Sequence, residues 1–269
     1  MKLLVILVII CTVLCLCWWL NHNSLREAFT VPAKDINSAI IFACYDIDKY
    51  DYEFIKMWHK IATFYVVVNG NPTEWDQKVK SLNNVRYMVR ENEGYDTTAW
   101  KVAMEHWREE LKAYDSVILA NNSCIYAIDL KDVLTKADGY DMYGLYAHSK
   151  TMNPLSLNIT AGRFLHTYFI VIGHDLYNSD DFKAYWDTMP RIRNHTDACI
   201  KHENRFSKHF DGLGYRIGVY MYVVRPEWVY RDDPRPDDAK YKREFVKRKA
   251  KDEYIKRFVD TVYKERNGR

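Results

Sequence analysis

The sequence predicts an α/β fold, an open and mostly parallel sheet flanked by helices. Three observations predict it. Short runs rich in β-branched and aromatic residues alternate with stretches whose apolar residues recur every three or four positions. From Ser38 to Ser123 the alternation reads β-α-β-α-β-α-β, an order that calls for parallel strands joined by right-handed crossovers. The strands also end abruptly in polar, turn-forming residues, as in open α/β sheets that bind ligands at the carboxyl ends of their strands.

The elements follow in order. Ala39–Tyr45 reads as a buried strand. Asp51–Thr63 reads as a helix with Phe54, Ile55, Trp58 and Ile61–Ala62 on one face. Phe64–Val68 is a second strand, closed by the turn signal Asn69-Gly70-Asn71-Pro72. A short helix near Thr73–Ser81 leads to a third strand, Val85–Val89, which empties into Arg90-Glu91-Asn92-Glu93-Gly94. Asp96 or Thr97 is then placed to cap a helix whose core stripe is Trp100, Ala103, Met104, Trp107 and Leu111. Val117–Ala120 is a strand ending in Asn121-Asn122-Ser123. Beyond it the pattern predicts a helix over Asp129–Ala137, a strand over Met142–Ala147, a polar loop over Ser149–Gly162 and a strand over Tyr168–Ile172. Helices over Asp180–Thr188 and Thr196–Leu213 and a last strand over Tyr215–Val224 complete the domain. Pro226–Pro236, with three prolines, reads as a linker, and Lys240–Tyr263 as a long amphipathic helix striped by Tyr241, Phe245, Ile255, Phe258, Val259 and Val262.

The N-terminus is of another kind. Leu3–Leu20 holds no charge, and eighteen helical residues span about 27 Å, close to the apolar thickness of a thin bilayer. Trp18 and Trp19 stand where an interfacial aromatic belt belongs. The expectation is a single-pass membrane anchor over 1–20, with a cleaved signal peptide as the rival reading. A polar linker over 21–37, a folded domain over 38–224 and a basic segment over 225–269 follow. That last segment carries 15 Lys+Arg against 10 Asp+Glu, although the whole chain of 269 residues is only +3. So small a net charge gives no reason to expect nucleic acid as a partner. The 21 Tyr and 8 Trp suit packed cores and also surfaces that stack on sugars. The six Cys show neither a disulfide framework nor metal-ligand spacing and read as small apolar fillers.

No Gly-x-Gly-x-x-Gly, phosphate-binding Gly-Lys-Ser/Thr loop, Gly-x-Ser-x-Gly or His-Glu-x-x-His occurs. Rossmann dehydrogenases, P-loop NTPases, serine hydrolases and zincins are thereby set aside. The remaining chemistry lies at strand ends. Arg90, Asn92 and Asp96 offer a guanidinium for a diphosphate and hydrogen bonds for a base or ribose. The bland alternative pairs Arg90 with Glu91 or Glu93 and makes Asp96 only a cap. Asn121-Asn122-Ser123 is either a diphosphate neighbour or an Asx turn, and its lack of carboxylates gives Mg²⁺ or Mn²⁺ little to bind. It also matches the glycosylation pattern, as do Asn158-Ile159-Thr160 and Asn194-His195-Thr196. Glu203 is a candidate base or a solvated helix charge. Asp180 of the Asp180–Asp181 pair reads as a helix cap. His166, Tyr168 and the rings near Trp186 are either acceptor-stacking or core residues.

Taken together, Arg90-Glu91-Asn92-x-Gly94-x-Asp96, Tyr114 through Cys124, Tyr143-Gly144-Leu145, Leu165 through Phe169, and Glu203 ahead of Gly212–Tyr215 resemble the rhamnan synthesis protein F family of glycosyltransferases. The resemblance covers about Ser38 to Tyr222. It implies a GT-A-like fold, a nucleotide-sugar donor carrying rhamnose or a related sugar, and a carbohydrate acceptor. It puts Arg90, Asn92 and Asp96 at the donor nucleotide, Asn121, Asn122 and Ser123 beside the diphosphate and Glu203 near the acceptor. The site expected on this basis adds Asn69 and Gly94 on the donor side and His166 and Tyr168 on the acceptor side, with Glu203 as the catalytic base of an inverting transfer. Two departures from the family pattern stand out. Asn122 replaces the usual Asp of the triplet, and Phe164-Leu165-His166-Thr167-Tyr168-Phe169 replaces His-Leu-Gln-Ser-Tyr-Phe. The rival readings are a catalytically inactive carbohydrate-binding or scaffold protein on the same fold, and a membrane-surface role for the basic C-terminal segment.

Overall fold

A computed structural model of the chain describes residues 37–148, 164–222 and 245–247. Its centre is an eight-stranded sheet. The first strands are β1 (Ser38–Cys44), β2 (Ala62–Val68), β3 (Val85–Val89) and β4 (Ser116–Asn121). The rest are β6 (Met142–His148), β7 (Phe164–Leu165), β8 (Phe169–Gly173) and β9 (Ile217–Tyr222), with a short β5 (Cys124–Tyr126) outside the sheet. The order is β3-β2-β1-β4-β8-β6-β7, and β9 pairs with β6 on its other side. Pairs β1–β2, β2–β3, β1–β4 and β6–β9 are parallel, while β8 runs antiparallel to both β4 and β6, and β7 antiparallel to β6. The predicted open, mostly parallel sheet is therefore present, with β7 and β8 reversed. Their reversal brings the β7–β8 turn to the edge where β1 to β4 end.

Strand alternation explains the layers. Ile40, Phe42, Phe64, Val66, Ile118 and Ala120 face one core, and Ala39, Ile41, Tyr65, Val67, Val117 and Leu119 face the other. With β1 buried at every position, helices must cover both sides. One side carries α1 (Lys49–Trp58), α2 (Glu74–Lys80) and α5 (Leu130–Ala137). The other carries α3 (Tyr95–His106), α4 (Arg108–Leu111), α6 (His174–Tyr177), α7 (Asp180–Asp187) and α9 (Phe206–Gly212). The predicted stripe Trp100, Ala103, Met104, Trp107 and Leu111 is buried. Capping boxes Asp48/Asp51 and Thr73/Asp76 open α1 and α2 by satisfying their free N–H groups.

Several expectations need correction. The helix expected over Asp51–Thr63 ends at Trp58, because Ala62 and Thr63 already pair with β1. The helix expected over Thr196–Leu213 is three pieces: α8 (His195–Asp197), a π-helical turn over Ala198–Glu203, and α9. Ser179, not Asp180, caps α7: its hydroxyl accepts from Phe182 N at 3.1 Å. Within the expected C-terminal helix, Phe245–Lys247 is a strand, β10, antiparallel to β5. Its short aromatic and β-branched run satisfies the edge of β5, and that pairing overrides a helical periodicity that has only spacing behind it. The remainder of that helix, the anchor over 3–20, the linker at 226–236 and Asn158 lie outside the described residues. Among the described residues no helix is long and apolar enough to cross a membrane.

Candidate active site

In the order β2-β1-β4 the chain leaves β1 to one side for β2 and returns to its other side with β4. Crevices form at such a switch point, outside the carboxyl ends of the strands. The turns after β3 and β4 do not lie on adjacent strands: β2 and β1 stand between them, and contact is made by the first turn of α3, where Asn121 Nδ2 donates a close hydrogen bond to Asp96 Oδ2.

The turn after β3 is held by its own residues. Arg90 Nη1 donates to Asn69 Oδ1 at 2.8 Å, Nη2 donates to the Glu93 carbonyl at 2.7 Å, and Asn69 Nδ2 reaches the Tyr95 carbonyl at 3.5 Å. Gly94 is left-handed at φ 73°, and a Cβ there would sit 1.9 Å from Thr98 Oγ1. Tyr95 is left-handed too, at φ 58°, an uncommon state for a residue with a side chain. Gly94, not Asp96 or Thr97, is the helix cap. Asp96, freed from capping, accepts from Asn121 and from Thr97 N. Burial lowers the Arg90 pKa, opposed by the charge of Glu93. Asn92 is exposed at the tip of the turn.

The turn after β4 is an Asx turn. Asn121 Oδ1 accepts from Ser123 N at 3.0 Å, its backbone N–H donates to the Tyr168 carbonyl at 3.1 Å, and its carbonyl accepts from Tyr126 Oη at 2.7 Å. Asn122 Nδ2 donates to the Asp46 carbonyl at 3.0 Å. Both amides of the triplet are thus engaged within the protein, and neither brings a charge. Hard divalent cations seek carboxylate oxygens, so these residues do not fit one. Among the described residues no group of three His, Cys, Asp or Glu is placed to hold a metal ion. Buried Asn121 does not present its amide for glycosylation, and Asn194 caps α8 by accepting from Asp197 N at 2.9 Å.

Glu203 closes the group. It ends the π-helical turn, a form frequent at functional sites. Its Oε1 accepts from His166 Nδ1 at 2.8 Å, with the two side chains only 19% and 11% exposed, so Glu203 is not the solvated helix charge of the bland reading. The His166 ring lies between Tyr146 and Tyr168, with ring centres 4.8 and 4.9 Å away. Tyr168 precedes β8 rather than starting it. Burial raises the Asp96 pKa and the nearby Glu203 charge raises it further, while hydrogen bonds from Asn121 and Thr97 pull the other way. Asp96, Asn121, His166, Tyr168 and Glu203 therefore form one connected group. The Asp180–Asp181 pair is elsewhere, with Asp181 bonded by Tyr215 Oη at 2.8 Å.

Sequence reasoning missed three members. Tyr146 carried no signal beyond its strand. Tyr126 ties Asn121 to Tyr168, because both carbonyls accept from its hydroxyl at 2.7 Å. His202 is buried, with Nδ1 3.0 Å from Tyr185 Oη and Nε2 without a partner. Burial lowers its pKa to about 3, opposed by Glu203. Its one visible signal was its place beside Glu203. A separate groove between α3 and α7, lined by Lys101, Met104, Arg108, Tyr177, Phe182 and Lys183 among others, contains none of the connected group.

Fold and site define the class: an open α/β sheet with a polar, carboxylate-bearing group at its switch point. The chain belongs to the rhamnan synthesis protein F family, whose profile matches residues 64–246. Among solved structures it is similar to the glycosyltransferase GlyE of Streptococcus pneumoniae TIGR4, at 13% identity and a TM-score of 0.36 over 68% of this chain. The apo form of that protein gives 13% and 0.35 over 68%. The chain spans 45% of the length of either solved chain. No curated protein matches it.

Proposed function

We propose that this chain is a glycosyltransferase on a GT-A-type fold, moving a sugar from a nucleotide-sugar donor to a carbohydrate acceptor. Rhamnose is the sugar its family's name suggests. The observation that carries the reading is the Asp96–Asn121 contact, which joins the first turn of α3 to the turn after β4, beside the Glu203–His166 pair. In this mechanism Glu203 takes the proton of the acceptor hydroxyl. The freed oxygen bonds to the anomeric carbon as the bond from that carbon to the diphosphate oxygen breaks, which inverts the centre. His166 orients the carboxylate through its Nδ1–H, and Tyr146 and Tyr168 fix the imidazole between them. Arg90 and Asn69 set the shape of the donor-side turn.

The internally satisfied Asn121-Asn122-Ser123 triplet favours a second reading, a carbohydrate-binding protein without transfer activity. A screen of nucleotide sugars by melting temperature separates them. A donor present at one hundred times its dissociation constant stabilises the fold by about 2.7 kcal/mol, so the enzyme reading expects one nucleotide sugar to raise the melting temperature by several degrees. If free oligosaccharides shift it and no nucleotide sugar does, the binding-protein reading replaces it.

A further inference from the structure

Glu203 can act as a base only if its carboxylate is held at the crevice. The π-helical turn that carries it has one residue more than an α-helical turn: Asn204 N donates to the Cys199 carbonyl, five residues back, at 2.9 Å. Contacts on two faces hold this turn. On one face, Glu203 Oε1 accepts from His166 Nδ1 at 2.8 Å, and Ser207 Oγ, one turn on, accepts from Leu165 N at 2.9 Å. On the other, His202 is 1% exposed among the rings of Trp100, Tyr185, Trp186 and Phe206, with ring centres 6.2, 5.8, 5.1 and 4.8 Å away. Its Nδ1 lies 3.0 Å from Tyr185 Oη, and its Nε2 has no partner among the described residues. Burying an imidazole with half its hydrogen bonding unmet is unfavourable. A phenylalanine would fill such a cage without that cost, as Phe206 and Phe210 do beside it. What the histidine adds to packing is direction, because a hydrogen bond weakens steeply when its angle bends and ring contacts do not.

We infer that His202 is a positioning residue: its hydrogen bond to Tyr185 fixes how the π-helical turn is rotated and so aims the Glu203 carboxylate at His166 and the crevice. His202 and Glu203 are consecutive, so a rotation that releases one swings the other. The inference rests on the proposed transferase reading, in which Glu203 is the base, and deepens it by naming what sets the place of that base. It also gives α7 a part in the site, through Tyr185.

The test compares Tyr185→Phe, His202→Phe and His202→Asn with wild type, all as the full chain. The first two remove the hydrogen bond and keep the rings. Asparagine keeps a polar atom at the place of Nδ1. Two quantities are read: the His166 ring N–H proton by NMR, and the release of nucleoside diphosphate from thymidine, uridine and guanosine diphosphate sugars. In wild type the His166 proton, bonded to Glu203, should exchange slowly with water and vanish in His166→Gln. Tyr185→Phe and His202→Phe should lose that slow exchange. Their kcat should fall by about 10- to 100-fold, the scale of a catalytic group displaced by about 1 Å, with the donor KM unchanged. His202→Asn should keep most of both signals. If proton and kcat are unchanged in both phenylalanine variants, the inference is overturned and the transferase reading stands. An equal loss in His202→Asn also overturns it, as does a loss of kcat that only follows a fall in the urea midpoint, because His202 would then be a packing residue. Wild-type protein that shows the slow proton but releases no nucleoside diphosphate removes the transferase reading, and the inference with it.

Discussion

The two sides of the sheet are built differently. From β1 to β4 the strands are parallel and mostly aliphatic, with Phe42, Phe64, Tyr65 and Tyr87 among them, and β1 and β4 are buried at every position. From β8 to β9 strand directions are mixed, and the covering layer is aromatic: Phe182, Tyr185, Trp186, His202, Phe206 and Phe210 pack with neighbouring ring centres about 5–6 Å apart. The first side is a scaffold that fixes where turns end. The second sets rings and a π-helical turn against that edge and presents Glu203 and His166. Under the proposed function the first would determine where a ligand sits and the second what happens to it.

The sharpest way to break the comparison is Glu203→Gln. An amide keeps an acceptor for His166 Nδ1 but loses the proton-accepting carboxylate. Turnover should fall by about 10²–10⁴-fold, the usual contribution of a general base, while calorimetry finds donor affinity unchanged. A variant near wild-type rate would remove Glu203 as the base and leave the aromatic side with a structural role only.

A smaller effect tests that side's packing. The folded protein keeps His202 neutral down to about pH 3, whereas in an unfolded chain histidine takes up its proton near pH 6.5. Between those values the unfolded state binds the extra proton, so stability falls as pH falls through the window. His202 alone should contribute a slope of about 1.4 kcal/mol per pH unit there. Urea midpoints from pH 7 to pH 4 should fall more steeply for wild type than for His202→Gln. Parallel curves would mean that His202 is hydrated and titrates as in water.

The scaffold was readable because its signals are local. Asp48 and Thr73 cap helices a few residues ahead of the stripes they serve, and β-branched runs mark buried strands. Reading failed where partners are remote. Glu203 meets His166 across 37 positions and Asp96 meets Asn121 across 25, and no periodicity encodes either contact. The helix through residue 202 looked continuous because apolar spacing does not distinguish α from π winding. Asp96 looked like a cap because its type suits one, but Gly94 in the left-handed region had already ended the turn. Phe245–Lys247 followed a helical stripe and still became a strand, since only the folded chain shows β5 waiting for a partner.

The most direct measurement is hydrogen exchange with and without a nucleotide sugar that stabilises the protein. If the turns after β3 and β4 and the π-helical turn form one site, exchange should slow together in peptides covering 90–98, 121–126 and 199–205. Slowing confined to 101–112 and 177–187, which line the groove between α3 and α7, would place the ligand elsewhere and contradict the account.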